Sequence, residues 1–313
     1  MPLGLRRGTV TAVLEVREGF VRLEVDGIAC IAYPRLTGEV EVGDDVLVNE
    51  QARLLELGSG GFDILYANLT RGLGLPPEEG AHVMALPYTP AQVTVCYKEE
   101  TGELAPALGG LPVVLCTVHS QVAPVAAALV GRRVAYVQVQ GGALPVSLSD
   151  TVALLRERGL LEVALAVAPC LDGDAHFVTA AAALAWAAGQ GFEVVICSLG
   201  PGIVGTGSRL GHGALSLADA ANAATALGGR PILAVRRSEA DGRERHQGIS
   251  HHAEAVLSLC LGEVTVPSAE DGAGWEKACA DLPLGHMGRG RADDALFFSS
   301  AYAAGRAARS LLA

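Results

Sequence analysis

Residues 198–213, SLGPGIVGTGSRLGHG, decide how this chain is read. The apolar run before them, Glu193-Val194-Val195-Ile196-Cys197, reads as a buried parallel strand, and the Ala-rich segment 214–227 after them predicts a helix. A loop joining such a strand to such a helix opens at the carboxyl edge of a doubly wound sheet, where ligands bind. Gly200, Gly202, Gly205, Gly207, Gly211 and Gly213 free the backbone for positive φ and let amides approach a ligand closely. Thr206, Ser208, Arg209 and His212 add hydroxyls, a fixed positive charge and a titratable ring. The expectation is a site for a small anion.

Working outward, apolar runs at 112–118, 134–139, 161–168 and 231–236 predict further strands, with a sixth at 264–266. Helical patterns at 122–130, about 147–158, 175–188, 250–261, 274–280 and 292–312 fall between or after them. Ser147, Ser149 and Asp150 offer capping oxygens, and Gly159 suits the position after a helix. The alternation implies an α/β domain over 80–313: a doubly wound, mostly parallel (Rossmann-like) sheet. Residues 8–70 instead alternate at period two, with Asp26-Gly27 as a two-residue hairpin turn, and predict a small all-β barrel or sandwich over 1–72. The Gly- and Pro-rich segment 70–80 marks the boundary. The β segment reads as a docking or dimerisation module, which would make the chain a homo-oligomer.

Composition narrows the function. The formal charge is −11, and only Lys98 and Lys277 are lysines among 23 basic residues, so no basic face exists for nucleic acid. Seven scattered cysteines without a C-x-x-C pair suit reduced, buried thiols in cytoplasm. No apolar run approaches membrane-spanning length, and the segment before Gly8 is too short for a signal peptide. The reading is a soluble cytoplasmic protein that engages neither membrane nor nucleic acid.

In a parallel sheet, the segments that follow strands share one edge. They are His119-Ser120-Gln121, then 140–145 with Gly141 and Gly142, then 172–176, the glycine loop, and 237–252 with Arg237. Six of the eight histidines lie there: His119, His176, His212, His246, His251 and His252. His119, His212, His246 and His251 are the acid/base candidates, and His246, His251 and Asp241 the metal-ligand candidates. His176 enters a helix and suits a structural role. Adjacent His251 and His252 diverge on a helix, so one at most is expected to ligate. No His-Glu-x-x-His exists, so a divalent metal would have to be held from separate loops. Gly200-x-Gly202-x-x-Gly205 matches the dinucleotide fingerprint and Arg236-Arg237 would suit a 2′-phosphate, but Gly207, Gly211 and Gly213 delay the helix. NADP therefore ranks behind a divalent metal as cofactor. Ser120, Ser208 and Ser250 lack a nucleophile elbow, and Ser250 suits an N-cap.

The blocks 119–124 (HSQVAP), 141–145 (GGALP), 200–212 and 246–252 (HQGISHH) resemble the bacterial family catalogued as domain of unknown function 3866. The resemblance spans nearly the whole chain and points to the same strand-end loops; it implies no activity. An enzyme acting on a small anionic, phosphorylated or nucleotide-like ligand leads, with Arg209 and Arg237 binding charge and imidazoles moving protons. A nucleotide- or metabolite-sensing module comes second and an NADP-dependent oxidoreductase third.

Overall fold

Alternation at period two closes into a barrel in the computed structural model, which describes residues 3–55, 61–102 and 104–312. Strands β1 (Leu5–Arg17), β2 (Phe20–Val25) and β3 (Ile28–Ala32) are followed by a turn of helix α1 (Pro34–Thr37), β4 (Asp45–Asn49), α2 (Gln51–Leu54) and β5 (Asp63–Asn68). The barrel order is β1-β2-β3-β5-β4, with β3 and β5 parallel. Asp26 and Gly27 turn the β2–β3 hairpin with φ of 53° and 76°, the paired positive values that Asp-Gly supplies. Val10, Leu23, Val25, Val46, Val48 and Leu65 fill the interior. A two-stranded ribbon follows, β6 (Val83–Ala85) with β7 (Val93–Val95). Met1, Pro2 and 56–60 of the expected β segment lie outside the described residues. The chain divides into two units at Cys96/Tyr97.

The second unit is built on six parallel strands. In chain order it runs β8 (Pro112–Cys116), α3 (Val122–Ala128), β9 (Val134–Val139), α4 (Asp150–Glu157), β10 (Val163–Val167), β11 (Ala175–Phe177), α5 (Ala180–Gly189), β12 (Val194–Leu199), α6 (Ser216–Ala226) and β13 (Arg230–Ala234). The short pair β14 (Arg237–Ser238) and β15 (Gly248–Ile249) follows, then α7 (His251–Leu259), α8 (Trp275–Ala278) and α9 (Ala295–Ser310). Sheet order is β11-β10-β9-β12-β8-β13. Successive strand residues enter opposite cores: Val113, Leu115, Val137, Leu165, Val195 and Leu233 pack with α5, α6 and α7, whereas Val114, Cys116, Tyr136, Ala166, Ile196 and Ile232 pack with α3, α4 and α9. Burial on both faces is why these strands read as continuous apolar runs. Among the described residues no helix is long and apolar enough to cross a membrane.

Two elements differ from the sequence expectation. The helix expected at 175–188 is divided: residues 175–177 extend as the edge strand β11, and Thr179 caps the helix by accepting from the Ala182 amide at 3.2 Å. The alanines from 180 onwards keep their helix, and pairing with β10 makes a strand of Ala175, His176 and Phe177, of which only the first favours helix. The sixth strand expected at 264–266 is a single bridge, Thr265 to Ile232.

The glycines hold the strand ends close together. Of the six in the 198–213 stretch only Gly202 has a positive φ, at 69°; close approach explains most of the others. A Cβ on Gly213 would stand 2.0 Å from the Gly141 carbonyl oxygen, and one on Gly200 2.2 Å from that of Ala143. Neither neighbour can yield without moving backbone. Gly213→Ala is therefore expected to cost about 3 kcal/mol through overpacking, while Gly207→Ala, whose Cβ would meet nothing within 4 Å, stays within about 0.5 kcal/mol of the parent. Paired denaturant melts measure the contrast.

Candidate metal centre

Strands β12, β8 and β13 are neighbours, so the loops leaving them meet at one edge. The glycine loop after β12 folds on itself. Its amides at Val204, Thr206, Gly211 and Gly213 bond to carbonyls of Gly141, Gly211, Ser208 and Val204, and the Ser208 amide bonds to Thr206 Oγ1. Those amides are spent on the loop's own shape and cannot cradle an anion. Arg209 reaches the Ser258 hydroxyl on the last turn of α7 at 2.8 Å. What the loop delivers is His212, buried against α7. Beside it lies a cleft of about 640 Å³, lined among others by Gln140, Gly141, Leu210, His212, Ser216 and Asp219.

Helix α7 begins with two histidines. Ser250 caps it by accepting from the His252 amide at 3.3 Å, and the same hydroxyl meets His246 Nδ1 at 2.7 Å. His212 stacks on His252 with centroids 4.0 Å apart, and His251 lies 4.4 Å from His252 and 5.4 Å from His212. His246 closes the group at 5.0 Å from His251 and 4.9 Å from His252. One nitrogen each of His212, His251 and His252 lies within 4.8 Å of the other two. Both ring nitrogens of His212, Nε2 of His251 and Nδ1 of His252 are buried without a hydrogen-bond partner. The expectation that at most one of His251 and His252 could ligate is thus corrected: in the first turn both rings bend towards His212, because that ring packs over the helix start.

Behind the cluster sits a buried charge network. Arg236 follows β13, its backbone carbonyl accepting from the Ser250 amide at 2.9 Å. Its guanidinium meets Asp241 at 3.0 Å, both side chains being only 2% exposed. Asp241 also receives Arg243 at 2.9 Å and Arg289 at 3.2 Å, and Arg289 reaches Asp294 at 3.1 Å. Asp241, foreseen as a metal ligand, is occupied by three guanidiniums. Burial works to raise its pKa, but the Arg243 hydrogen bonds and the surrounding guanidinium charge outweigh it and hold the carboxyl far below its ordinary range.

The same surroundings keep the imidazoles neutral. Burial, then the Arg236 and Arg243 charges, brings His246 down to about 3. Burial, then the nearness of the titratable His212 ring and the Arg236 charge, brings His252 to about 2; His212 and His251 are also lowered, chiefly by burial. Neutral imidazole is the form that ligates a metal.

The remaining foreseen residues divide. His119 is apart from the cluster: its Nδ1 donates to the Leu199 carbonyl at 3.1 Å and its Nε2 meets the Ser149 hydroxyl, the cap of α4, at 2.6 Å. With Nδ1 donating, the Nε2 lone pair accepting from Ser149 and burial lowering it to about 4, it ties three loops together. Gly142 and Gly200 pack backbone to backbone; Gly205 lies against the His212 Cβ and Arg237 sits in β14. His176 Nε2 accepts from the Asp172 amide at 3.1 Å, a structural bond. One residue escaped the sequence reading. His286, far along the chain, places Nδ1 2.9 Å from the Ser120 hydroxyl and stacks on Phe297 at 4.0 Å. No periodicity or spacing signals it, since its place is set by the return of the chain through α9.

A family model matches residues 29–276, a span that contains the glycine loop and the His246–His252 segment. The chain belongs to the DUF3866 family. That family is described only as proteins of unknown function. None of the curated proteins matches the chain. In this DUF3866 member His212, His251 and His252, all within the matched span, form the cluster.

Depressed histidines have a consequence for stability. Each is neutral when folded but titrates near 6.5 when unfolded, so the unfolded chain binds more protons as pH falls. Stability is complete above about pH 7 and declines below about pH 6.5 by ~1.4 kcal/mol per pH unit for each such ring until its folded pKa is reached. Melting of the metal-free protein between pH 8 and 5 is expected to show this fall, and a flat profile would contradict buried neutral rings. Asp241→Asn, which strips Arg236 of its counter-charge, is expected to cost about 3–5 kcal/mol at pH 7.

Proposed function

We propose that this protein is an enzyme that binds a divalent transition metal of the zinc class at His212, His251 and His252 and acts on a small anionic substrate in the adjoining cleft. The observation that carries the reading is the convergence of three buried imidazoles, from the glycine loop and the start of α7, with their ligating nitrogens unpaired. Leaving such nitrogens buried without partners is costly, and a metal ion removes the cost. Tetrahedral nitrogens bound to zinc stand about 3.3 Å apart, so rings already within 4.8 Å close by only about 1–2 Å to take the ion.

Three protein ligands leave the fourth position open, the arrangement of catalytic rather than structural zinc sites. A bound ion of this kind supplies a water acidified to near neutrality and a Lewis acid for a substrate oxygen. The chain's own residues do the rest. Ser250 orients both α7 and His246, whose ring stands against two of the ligands with Nδ1 anchored. That makes His246 a partner for protons or a positioning group beside the metal. The cleft's size suits a small organic molecule.

The position of the next helix weighs against the dinucleotide reading, because α6 begins only at Ser216, well past the Gly200–Gly205 motif, so no helix N-terminus stands behind the loop to meet a pyrophosphate. The sensing module remains the second reading, because the converging set is three imidazoles and includes no carboxylate among its ligating atoms. Turnover separates the two.

Protein purified without a His tag and dialysed against Zn2+ is expected to retain one ion per chain. His252→Ala should weaken binding at least about 100-fold, and the ion should raise stability by about 2.7 kcal/mol at 100 times its Kd. A wild-type chain that holds no ion, or a His252→Ala chain that holds it as tightly, refutes the metal centre.

A further inference from the structure

We infer that the protein has a second ligand site, a cavity at the amino-terminal edge of the sheet that binds a small organic oxyanion with an apolar body through Arg158, Arg306 and Arg309. Helix α3 leaves β8 at the edge that carries the histidines and runs back, so its last residues, Ala127 and Ala128, lie at the other edge, before β9. Arg158 and Leu160, between α4 and β10, reach that edge in the same way. With α8 and the second half of α9 they enclose a cavity of about 510 Å³. No residue of its wall belongs to the histidine cleft, so the site is independent of the metal reading.

The wall combines an apolar floor with a few convergent polar groups, the make-up of a small-molecule site. Ala127, Ala128 and Leu282 are buried, and Leu160 is half-buried. Helix α9 presses close to α3 because residue 305 is glycine: a Cβ there would stand 2.4 Å from the Val125 carbonyl oxygen. On α9, Tyr302, Arg306 and Arg309 follow one another at the spacing of a single helix face, and that face borders the cavity.

Three guanidiniums therefore meet one carboxylate, that of Asp281, in the wall. None of the three is ion-paired among the described residues. Neighbouring charges do not relieve them. The Asp271 carboxylate accepts from the Ser268 amide at 3.0 Å, and Glu157 and Glu276 stand outside the wall. Arg291, bonded to the carbonyls of Ala280 and Leu282 at 2.9 and 2.6 Å, adds a further positive charge beside it.

Two of the three arginines have structural work, but on one nitrogen each. Arg309 Nη1 donates to the Ala128 and Val130 carbonyls at 3.3 and 2.8 Å, closing α3. Arg306 Nη1 donates to those of Asp271 and Ala273 at 2.8 and 3.3 Å. These bonds fix the forks and leave Nε and Nη2 of both without acceptors among the described residues. The Arg158 guanidinium makes no hydrogen bond among them. Planar forks with open donors match the geometry of a carboxylate or phosphoryl group. Water and salt screen guanidiniums as exposed as Arg158 and Arg306, so a bare ion gains little. A ligand whose apolar body also covers the floor and the Tyr302 ring gains from both contacts.

The test is calorimetric titration of the full chain with naphthoate, naphthyl phosphate and the neutral naphthamide. Both anions are expected to bind, and the amide to bind at least about tenfold more weakly than naphthoate, the worth of one charge-assisted hydrogen bond. Whichever anion is tighter, the site stands, and the order tells a phosphoryl from a carboxylate ligand. Arg158→Gln, which removes a guanidinium without a partner in the fold, should cost naphthoate at least about tenfold with the melting temperature unchanged. Ala278→Glu, which sets a carboxylate in the wall at an exposed position of α8, should weaken naphthoate as much. His252→Ala, at the other edge of the sheet, should bind naphthoate as the parent does. Failure of both anions to bind, naphthamide as tight as naphthoate, parent affinity in either wall variant, or binding lost in His252→Ala overturns the site.

Discussion

The Arg236–Asp241 pair is the constraint on which the site depends. It is buried, and pairs of this kind contribute little net stability because desolvation offsets the attraction. What it fixes is geometry. Arg236 emerges from β13 and through its carbonyl holds the amide of Ser250, the cap of the histidine helix. Asp241 gathers Arg243 from its own loop and Arg289 from the segment before α9, and Arg289 shares two backbone bonds with His286. Segments separated by some fifty residues are thus indexed to one carboxylate. An apolar replacement could match the stability but would not specify which loop meets which.

A second constraint works at shorter range. The glycine loop stays near the strand ends because Gly213 and Gly141, and Gly200 and Ala143, meet backbone to backbone. That contact leaves room for His212 to pack over the first turn of α7. The two constraints act on the cluster from different sides: glycine contacts place His212, and the charge network places His246, His251 and His252. Neither set of residues needs to touch a ligand to decide the site's shape.

Much of the architecture was legible in the sequence because its signals are local. Uninterrupted β-branched runs announced strands buried on both faces, Asp26-Gly27 announced its hairpin, and Ser250 announced its cap. The edge strand at 175–177 was not legible, since a run of three residues is too short to show a period and merges with the alanine-rich helix that follows it. In the site, the strand-end rule gathered His212, His246 and His251, but it also selected His119, whose two nitrogens are consumed by Leu199 and Ser149. Sequence shows which residues arrive at an edge and not which of their atoms remain unpaired. His252 was discounted by helical geometry that holds in mid-helix; at the first turn the side chains are free to follow His212. His286 was out of reach, because only the tertiary return of the chain brings it to Ser120.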